Sequence, residues 1–282
     1  MNYKPDKHIA RKRFGQNFLH DQNIIDRIIS SIAPAADQHV VEIGPGKGAL
    51  TEQLVHSVNK LDVIELDRDL LPNLETQFYD CDKFFIHNED ALKFDFSQLL
   101  LSSPGSTEDT QGYHKLRLVG NLPYNISTPL IFHLLDNIEL IDDMHFMLQK
   151  EVVDRLTARP GTKSYGRLSI LVQYFCMAER LFIVPPGAFT PQPKVDSAIV
   201  QLIPRKSINE TMKLKQATPS DLAYIARAAF AQRRKTLRNN LKNILSSEQI
   251  SQCDIDPARR AETLEISEFV ALTNQYAQLP AA

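Results

Sequence analysis

The chain has 282 residues, 43% of them hydrophobic, with 32 Lys and Arg against 34 Asp and Glu, three Cys and no Trp. At roughly 100–200 residues per domain, this length accommodates two domains with buried cores, and a charged fraction of 23% beside that apolar content excludes a disordered chain. Unbroken apolar runs, such as Leu99 to Leu101 and Ile170 to Val172, fall far short of the roughly 20 residues that cross a bilayer.

From these features a soluble protein with no membrane partner is expected. The first twenty residues are basic and lack an apolar core, so they do not read as a secretory signal; an amphipathic transit peptide is the minor alternative. Cys81, Cys176 and Cys253 are odd in number and far apart, which suits neither a disulfide framework nor a metal site. Reduced thiols, a cytoplasmic location and no metal follow as expectations. The net charge of −2 is unevenly divided: residues 1–20 carry +4 and residues 227–242 carry +6, which leaves −12 on the rest. Two basic segments on an otherwise acidic chain point to localised contact with a polyanion, with a solvated charged face as the bland alternative.

In chain order, Ile24, Ile25, Ile28, Ile29 and Ile32 have the spacing of an amphipathic helix, and His39 to Ile43 is a β-branched strand that ends at a glycine cluster. Helical spacing over Ala49–Val58 and Leu70–Phe78 then alternates with strands at Leu61–Leu66, Lys83–His87 and Leu116–Val119. That alternation predicts an α/β fold, a parallel sheet with helices on both faces. Residues 102–114 are rich in turn formers and read as a surface loop. A strand pattern ends near Leu202, and the polar stretch 204–218 reads as a domain boundary. The predicted domains are therefore 1–205, with a basic N-terminal arm, and a helical 206–282.

Four constellations carry chemistry. In Val40-Val41-Glu42-Ile43-Gly44-Pro45-Gly46-Lys47-Gly48, a strand runs into a turn whose glycines allow a ligand to approach the backbone. The spacing is G-x-G-x-G, not the dinucleotide G-x-G-x-x-G. Glu42 just before it disfavours a pyrophosphate and suits a cationic amino acid moiety, although a dinucleotide site or an empty turn stays open at this point. Glu65 ends the second strand nineteen residues after Gly46, where an acid is placed for ribose hydroxyls, and Asp90 follows the third strand, where it could accept from an adenine amino group. Each acid alone reads more readily as a helix cap or a solvated charge; three in succession at one sheet edge read as a nucleoside site.

Asn121-Leu122-Pro123-Tyr124 follows the fourth strand. An exocyclic adenine nitrogen is a poor nucleophile because its lone pair is delocalised into the ring. The Asn121 side-chain oxygen and the Leu122 carbonyl can accept its two hydrogens while Tyr124 stacks on a flipped base, a contact worth roughly 1–3 kcal/mol. The last constellation lies on a continuous helical wheel over residues 227–244. There Phe230, Leu237, Leu241 and Ile244 fall in one arc, and Arg227, Arg234, Lys235, Arg238 and Lys242 form an adjoining cationic stripe suited to a phosphate backbone.

These residues resemble the ribosomal RNA adenine dimethyltransferases, specifically the bacterial small-subunit enzymes. The resemblance runs through FGQNFL at 14–19, VVEIGPGKGALT at 40–51, VIELD at 63–67, NLPYNIS at 121–127, FTPQPKVDSA at 189–198 and RRKTLRNNL at 233–241. It implies a class I, Rossmann-like seven-stranded methyltransferase sheet plus a small all-helical C-terminal domain, with S-adenosylmethionine as methyl donor. It also implies N6 dimethylation of two adjacent adenosines near the 3′ end of small-subunit ribosomal RNA, during assembly of an immature small subunit. By the same resemblance Asn17 and Leu19 help close the cofactor site, Gly44 lies beside the methionine part, Glu65 at the ribose and Asp90 at the adenine. Asn121 serves both cofactor and target, and Phe189 lies near the flipped base. The polar stretch between Asp90 and Asn121 is longer than the family pattern. Competing readings are a mainly non-catalytic RNA-binding assembly factor, an adenine-N6 DNA methyltransferase and a nicotinamide dehydrogenase, the last of which leaves Asn-Leu-Pro-Tyr unexplained. No repeated apolar face calls for a dimer, so a monomer is expected.

Overall fold

The structure, a computed structural model, describes residues 16–101, 115–205, 212–215 and 217–279. The basic stretch 1–15 and the expected surface loop at 102–114 lie outside the described residues. No helix among the described residues is long and apolar enough to cross a membrane.

Strand β1 (Phe18–Leu19) precedes helix α1 (Gln22–Ile32), which begins where the Asp21 carboxylate accepts the Ile24 N–H at 3.2 Å. Its isoleucine stripe buries Ile25, Ile28 and Ile32. There follow β2 (His39–Ile43), α2 (Thr51–Ser57), β3 (Lys60–Ile64), α3 (Leu71–Gln77), β4 (Phe84–His87), α4 (Ser97–Leu101) and β5 (Leu116–Asn121). Most of these fall within two residues of the sequence-predicted elements. The chain continues through α5 (Ser127–Asp136), β6 (Ile141–Gln149), α6 (Lys150–Leu156), α7 (Arg167–Phe175), β7 (Cys176–Val184), β8 (Phe189–Thr190) and β9 (Ser197–Pro204).

Seven strands form one sheet in the order β4-β3-β2-β5-β6-β9-β7, and β1 pairs antiparallel with β8 as a separate ribbon. The pairs β3–β4, β2–β3, β2–β5 and β5–β6 are parallel, whereas β6–β9 is antiparallel. Strands β2 and β3 are buried throughout, as expected for central strands covered on both faces. From β2 the chain winds outward through β3 to β4 and then returns to lay β5 on the other side of β2. The carboxyl ends of β2 and β5 therefore flank the topological switch point, where open α/β sheets bind ligands.

Gly120 makes that junction possible. A Cβ on it would lie 2.4 Å from the Ile43 carbonyl oxygen, so only glycine lets β5 run this close to the end of β2. At the opposite end of β5, Arg117 makes a two-pronged bond to Asp143 on β6, at 2.9 Å and 2.7 Å. Its remaining N–H groups reach the Ile32 carbonyl and the Gln38 side chain, both at 2.6 Å. The guanidinium thus fastens the end of α1 to the sheet.

The chain divides into two compact units. The first runs through Val153 and includes Glu179–Pro204; the second comprises Asp154–Ala178 and the chain from Arg205 onward. This corrects the sequence-based division at 205/206 in one respect: residues 154–178, placed by sequence with the sheet, group with the C-terminal helices. The second unit holds α7, α8 (Pro219–Ala229), α9 (Leu237–Asn240), α10 (Ser247–Ser251) and α11 (Ile266–Ala277). Thr218 and Asp221 cap α8 reciprocally, and Leu222, Ile225, Phe269 and Leu272 fill the core between helices.

The single helix expected across 227–244 is not what forms. Helix α8 stops at Ala229 because the Asn240 side-chain amide folds back onto the Ala229 carbonyl at 2.6 Å and the Gln232 carbonyl at 3.1 Å, and a turn separates it from α9. Leu237, Leu241 and Leu245 are buried beneath that turn. Replacing Gly120 by alanine is expected to destabilise the protein by about 3 kcal/mol in urea unfolding, because the new methyl group meets backbone that has little room to move.

Candidate active site

A cavity of about 300 Å³ opens at the switch point. Its walls draw on Gln16–Leu19, the turn after β2, the residues after β3 and β4, and the segment 121–126. The sequence-predicted Asn17, Leu19, Glu42, Gly44, Gly46, Glu65, Asp90, Asn121, Leu122 and Tyr124 all line it.

The glycine turn is locked by a bond from the Gly44 N–H to the Ile64 carbonyl at 2.9 Å, and Gly44 and Gly46 adopt φ values of +70° and +61°. Phe18 covers this turn: a Cβ on Gly46 would come within 3.3 Å of its ring, and Lys47 Nζ lies 4.8 Å from the ring centroid. Glu65 is fixed from two sides. The Gly46 N–H reaches its Oε2 at 3.3 Å and the Asp67 N–H its Oε1 at 2.8 Å, so the carboxylate is oriented by the protein's own backbone. Burial raises its pKa against the pull of those two bonds. Asp90 accepts the Leu92 N–H at 3.0 Å in a local turn. Leu66, 48% exposed, and Ala91 supply apolar surface between the two acids.

Glu42 is 1% exposed and accepts the Thr51 hydroxyl at 2.6 Å. Burial pushes its carboxyl up to about 7, the Thr51 bond opposes the rise, and nearby Glu65 adds to it.

On the β5 side, the Asn121 amide donates to the Asn17 carbonyl at 2.9 Å, which orients the amide and leaves its oxygen as an acceptor. The Leu122 N–H is held by the Met147 carbonyl at 3.1 Å. Tyr124 is half-buried, its hydroxyl 2.7 Å from that of Ser197, and burial raises its pKa. Gln16 donates to Asp67 at 2.8 Å, so residues 16 and 17, entering β1, are tied both to the residues after β3 and to the end of β5.

Two sets of predicted residues lie elsewhere. Phe189 is 1% exposed, packed in the core opposite Leu19 in the β1–β8 pair, and is not a wall of the cavity. In that position its ring anchors the strand that pairs with β1 beside the site. Arg227, Arg234, Lys235, Arg238 and Lys242 are all exposed in the second unit, spread over α8, the turn, α9 and the turn that follows it, and not along one helical stripe. Arg233, in the same run, is engaged with Glu262 at 3.4 Å and the Lys163 carbonyl at 2.9 Å. Gln16, Phe18 and Ser197 were not singled out from the sequence, although Gln16 and Phe18 belong to FGQNFL and Ser197 to FTPQPKVDSA.

A mostly parallel seven-stranded sheet with a glycine turn, successive acids and Asn-Leu-Pro-Tyr at its switch point defines a Rossmann-like, S-adenosylmethionine-dependent methyltransferase. A family model described as ribosomal RNA adenine dimethylase matches residues 7–278, and the chain belongs to that family. Ribosomal RNA small subunit methyltransferase A of Saccharophagus degradans is 57% identical over 267 residues, covering 95% of this chain and 94% of that protein. Its counterpart in Pseudomonas aeruginosa is 55% identical over 274 residues, 97% of each chain. Among solved structures, a dimethyladenosine transferase from Plasmodium falciparum superposes with a TM-score of 0.74 at 26% identity, over 90% of this chain and 95% of that one. The 23S rRNA methyltransferase ErmE shares the fold, with a TM-score of 0.69 at 20% identity, over 93% of this chain and 100% of that one.

Glu42 yields a pH prediction. In the unfolded chain the carboxyl ionises near 4.5, whereas in the fold it ionises near 7. Between those values the folded protein binds the extra proton, so its stability falls as pH rises through the interval. Unfolding of the ligand-free Glu42→Gln variant by urea at pH 5 and pH 8 is expected to show a smaller loss across that range, by on the order of 3 kcal/mol.

Proposed function

We propose that this chain dimethylates N6 of two adjacent adenosines near the 3′ end of small-subunit ribosomal RNA, acting as a monomer in the cytoplasm on an immature small subunit. The two curated relatives described above, both small-subunit methyltransferases, support that choice of RNA. The observation that carries the reading is the Asn121 amide, oriented by the Asn17 carbonyl at the rim of the same cavity that Glu65 and Asp90 line.

The residues present fit S-adenosylmethionine. Positive-φ glycines leave open backbone beside the cavity, Glu65 is already turned for a diol, and Asp90 beside Leu66 and Ala91 offers an acceptor next to apolar surface for a purine. Glu42 supplies a buried carboxylate for a cationic amino acid group, with Asn17 and Leu19 closing the site from above. When bound, this cofactor supplies a methyl group on a cationic sulfur whose departure leaves a neutral thioether. Asn121 Oδ1 and the Leu122 carbonyl accept the hydrogens of the target amine, turning its lone pair out of conjugation. Tyr124 holds the flipped base by stacking. Because the attacking amine loses its proton after the bond is made, the residues contribute alignment and need not include a strong base. The exposed Arg227, Arg234, Lys235, Arg238 and Lys242 serve the RNA backbone.

The test is methyl transfer from radiolabelled S-adenosylmethionine to undermethylated small subunits, naked ribosomal RNA and duplex DNA, with nucleoside analysis. Dimethyladenosine is expected on the subunits; label in DNA alone would assign a different acceptor, and binding without transfer would favour an assembly factor. Asn121→Ala is expected to lower transfer by about 100-fold or more, as for removal of a positioned hydrogen-bonding group at a transition state, with little change in subunit binding. Subunit affinity of the wild type is expected to fall by about 0.7–0.9 log units per log unit of salt for each phosphate contact, with a shallower slope when Arg234 and Arg238 are both replaced by alanine.

A further inference from the structure

We propose that Ser197 is a positioning residue for methyl transfer, its buried hydroxyl fixing where the tip of the Tyr124 ring lies. The inference rests on the stacking role given to Tyr124 above.

Tyr124 is held at both ends. Its carbonyl accepts the Ser127 hydroxyl at 3.1 Å, and its phenol oxygen lies 2.7 Å from the Ser197 hydroxyl. Ser127 is 1% exposed and Ser197 fully buried. The bond at the phenol oxygen fixes the direction in which the side chain points, and the Ser127 bond, with the Leu122 N–H bonded to Met147, restrains the backbone from which it springs.

The anchor is itself rigid. Ser197 opens β9, pairs with Gln149 at the end of β6, and follows Asp196, whose carbonyl accepts the Lys150 N–H at 2.9 Å. The β6–β9 ladder is made of backbone groups and does not need the hydroxyl. Among the described residues Tyr124 is the hydrogen-bonding partner of that hydroxyl. A buried hydroxyl without a partner is costly, so the pair is kept, and the ring is fixed relative to the sheet and not to the mobile solvent. A stacking surface set in advance lets the target amine meet its acceptors in a reactive orientation, and small misplacements of such groups cost rate more than affinity.

The experiment measures kcat, KM for undermethylated small subunits and cofactor affinity for the wild type, Ser197→Ala, Tyr124→Phe, the double variant and Tyr124→Ala, with thermal unfolding of each. Ser197→Ala and Tyr124→Phe remove the same bond from opposite sides. Each is expected to lower kcat by about tenfold, the equivalent of one neutral hydrogen bond, with KM and cofactor affinity unchanged. The double variant is expected to be no slower than either single one, because only one interaction is lost. Tyr124→Ala is expected to be slower still. Wild-type kcat in Ser197→Ala or in Tyr124→Phe, alongside an inactive Tyr124→Ala, would overturn the positioning role and leave stacking intact. Multiplicative losses in the double variant would also overturn it. Full activity of Tyr124→Ala would overturn the stacking role on which the inference stands. If Ser197→Ala does not fold, Tyr124→Phe decides the question with Ser197 in place.

Discussion

The close approach of β5 to the end of β2 is the constraint on which the site depends. Main-chain atoms of Ile43 and residue 120 come so near that no side chain fits between them, which sets the glycine turn and Asn121 side by side. On one flank of that junction lie Glu65 and Asp90, delivered by the strands that wind outward; on the other lie Leu122 and Tyr124, held to β6 and β9. A donor pocket and an acceptor pocket thereby share one wall. Sheet topology places the two halves of the chemistry together, and hydrogen bonding then trims their orientation.

The cavity is assembled from acids that burial disfavours in their ionised form. Glu42 and Glu65 are both buried, Glu65 adds to the rise that solvent exclusion has already given Glu42, and the protein offers Thr51 to one and backbone N–H groups to the other. A site with surplus negative character of this kind is better matched to a cationic ligand than to a pyrophosphate, which separates it electrostatically from dinucleotide sites built on the same kind of turn.

The first half of the sheet was legible in the sequence because each β-branched run there ends at punctuation, glycine after Ile43 and acidic turns after Ile64 and His87. Strand β6 was not, since its opening Ile141-Asp142-Asp143 reads as polar until Asp143 is seen to pair with Arg117, a partner 26 residues away. Strand β7 lies at the sheet edge, where Glu179 and Arg180 interrupt its apolar pattern. The acids and Asn121 could be placed from spacing because parallel strands bring their carboxyl ends to one edge. Asn17 and Leu19 carried no such local signal and came from resemblance, since their position depends on a ribbon formed with β8. The helical wheel failed for a comparable reason: Asn240 caps α8 from eleven residues downstream, and a periodicity rule does not register a side chain that reaches back. Phe189 had the right motif and a different location, because a motif marks a backbone path without saying which side of it each ring occupies.

The β1–β8 ribbon joins Phe18 and Leu19 to Thr190 and Phe189, residues separated by most of the first unit. During synthesis from the amino end, the glycine turn, the acids and Asn121 all leave the ribosome before the strand that secures their cover. A nascent chain can thus form the parallel core early while its cofactor pocket stays unroofed, and the pocket becomes complete only after residue 190 has emerged.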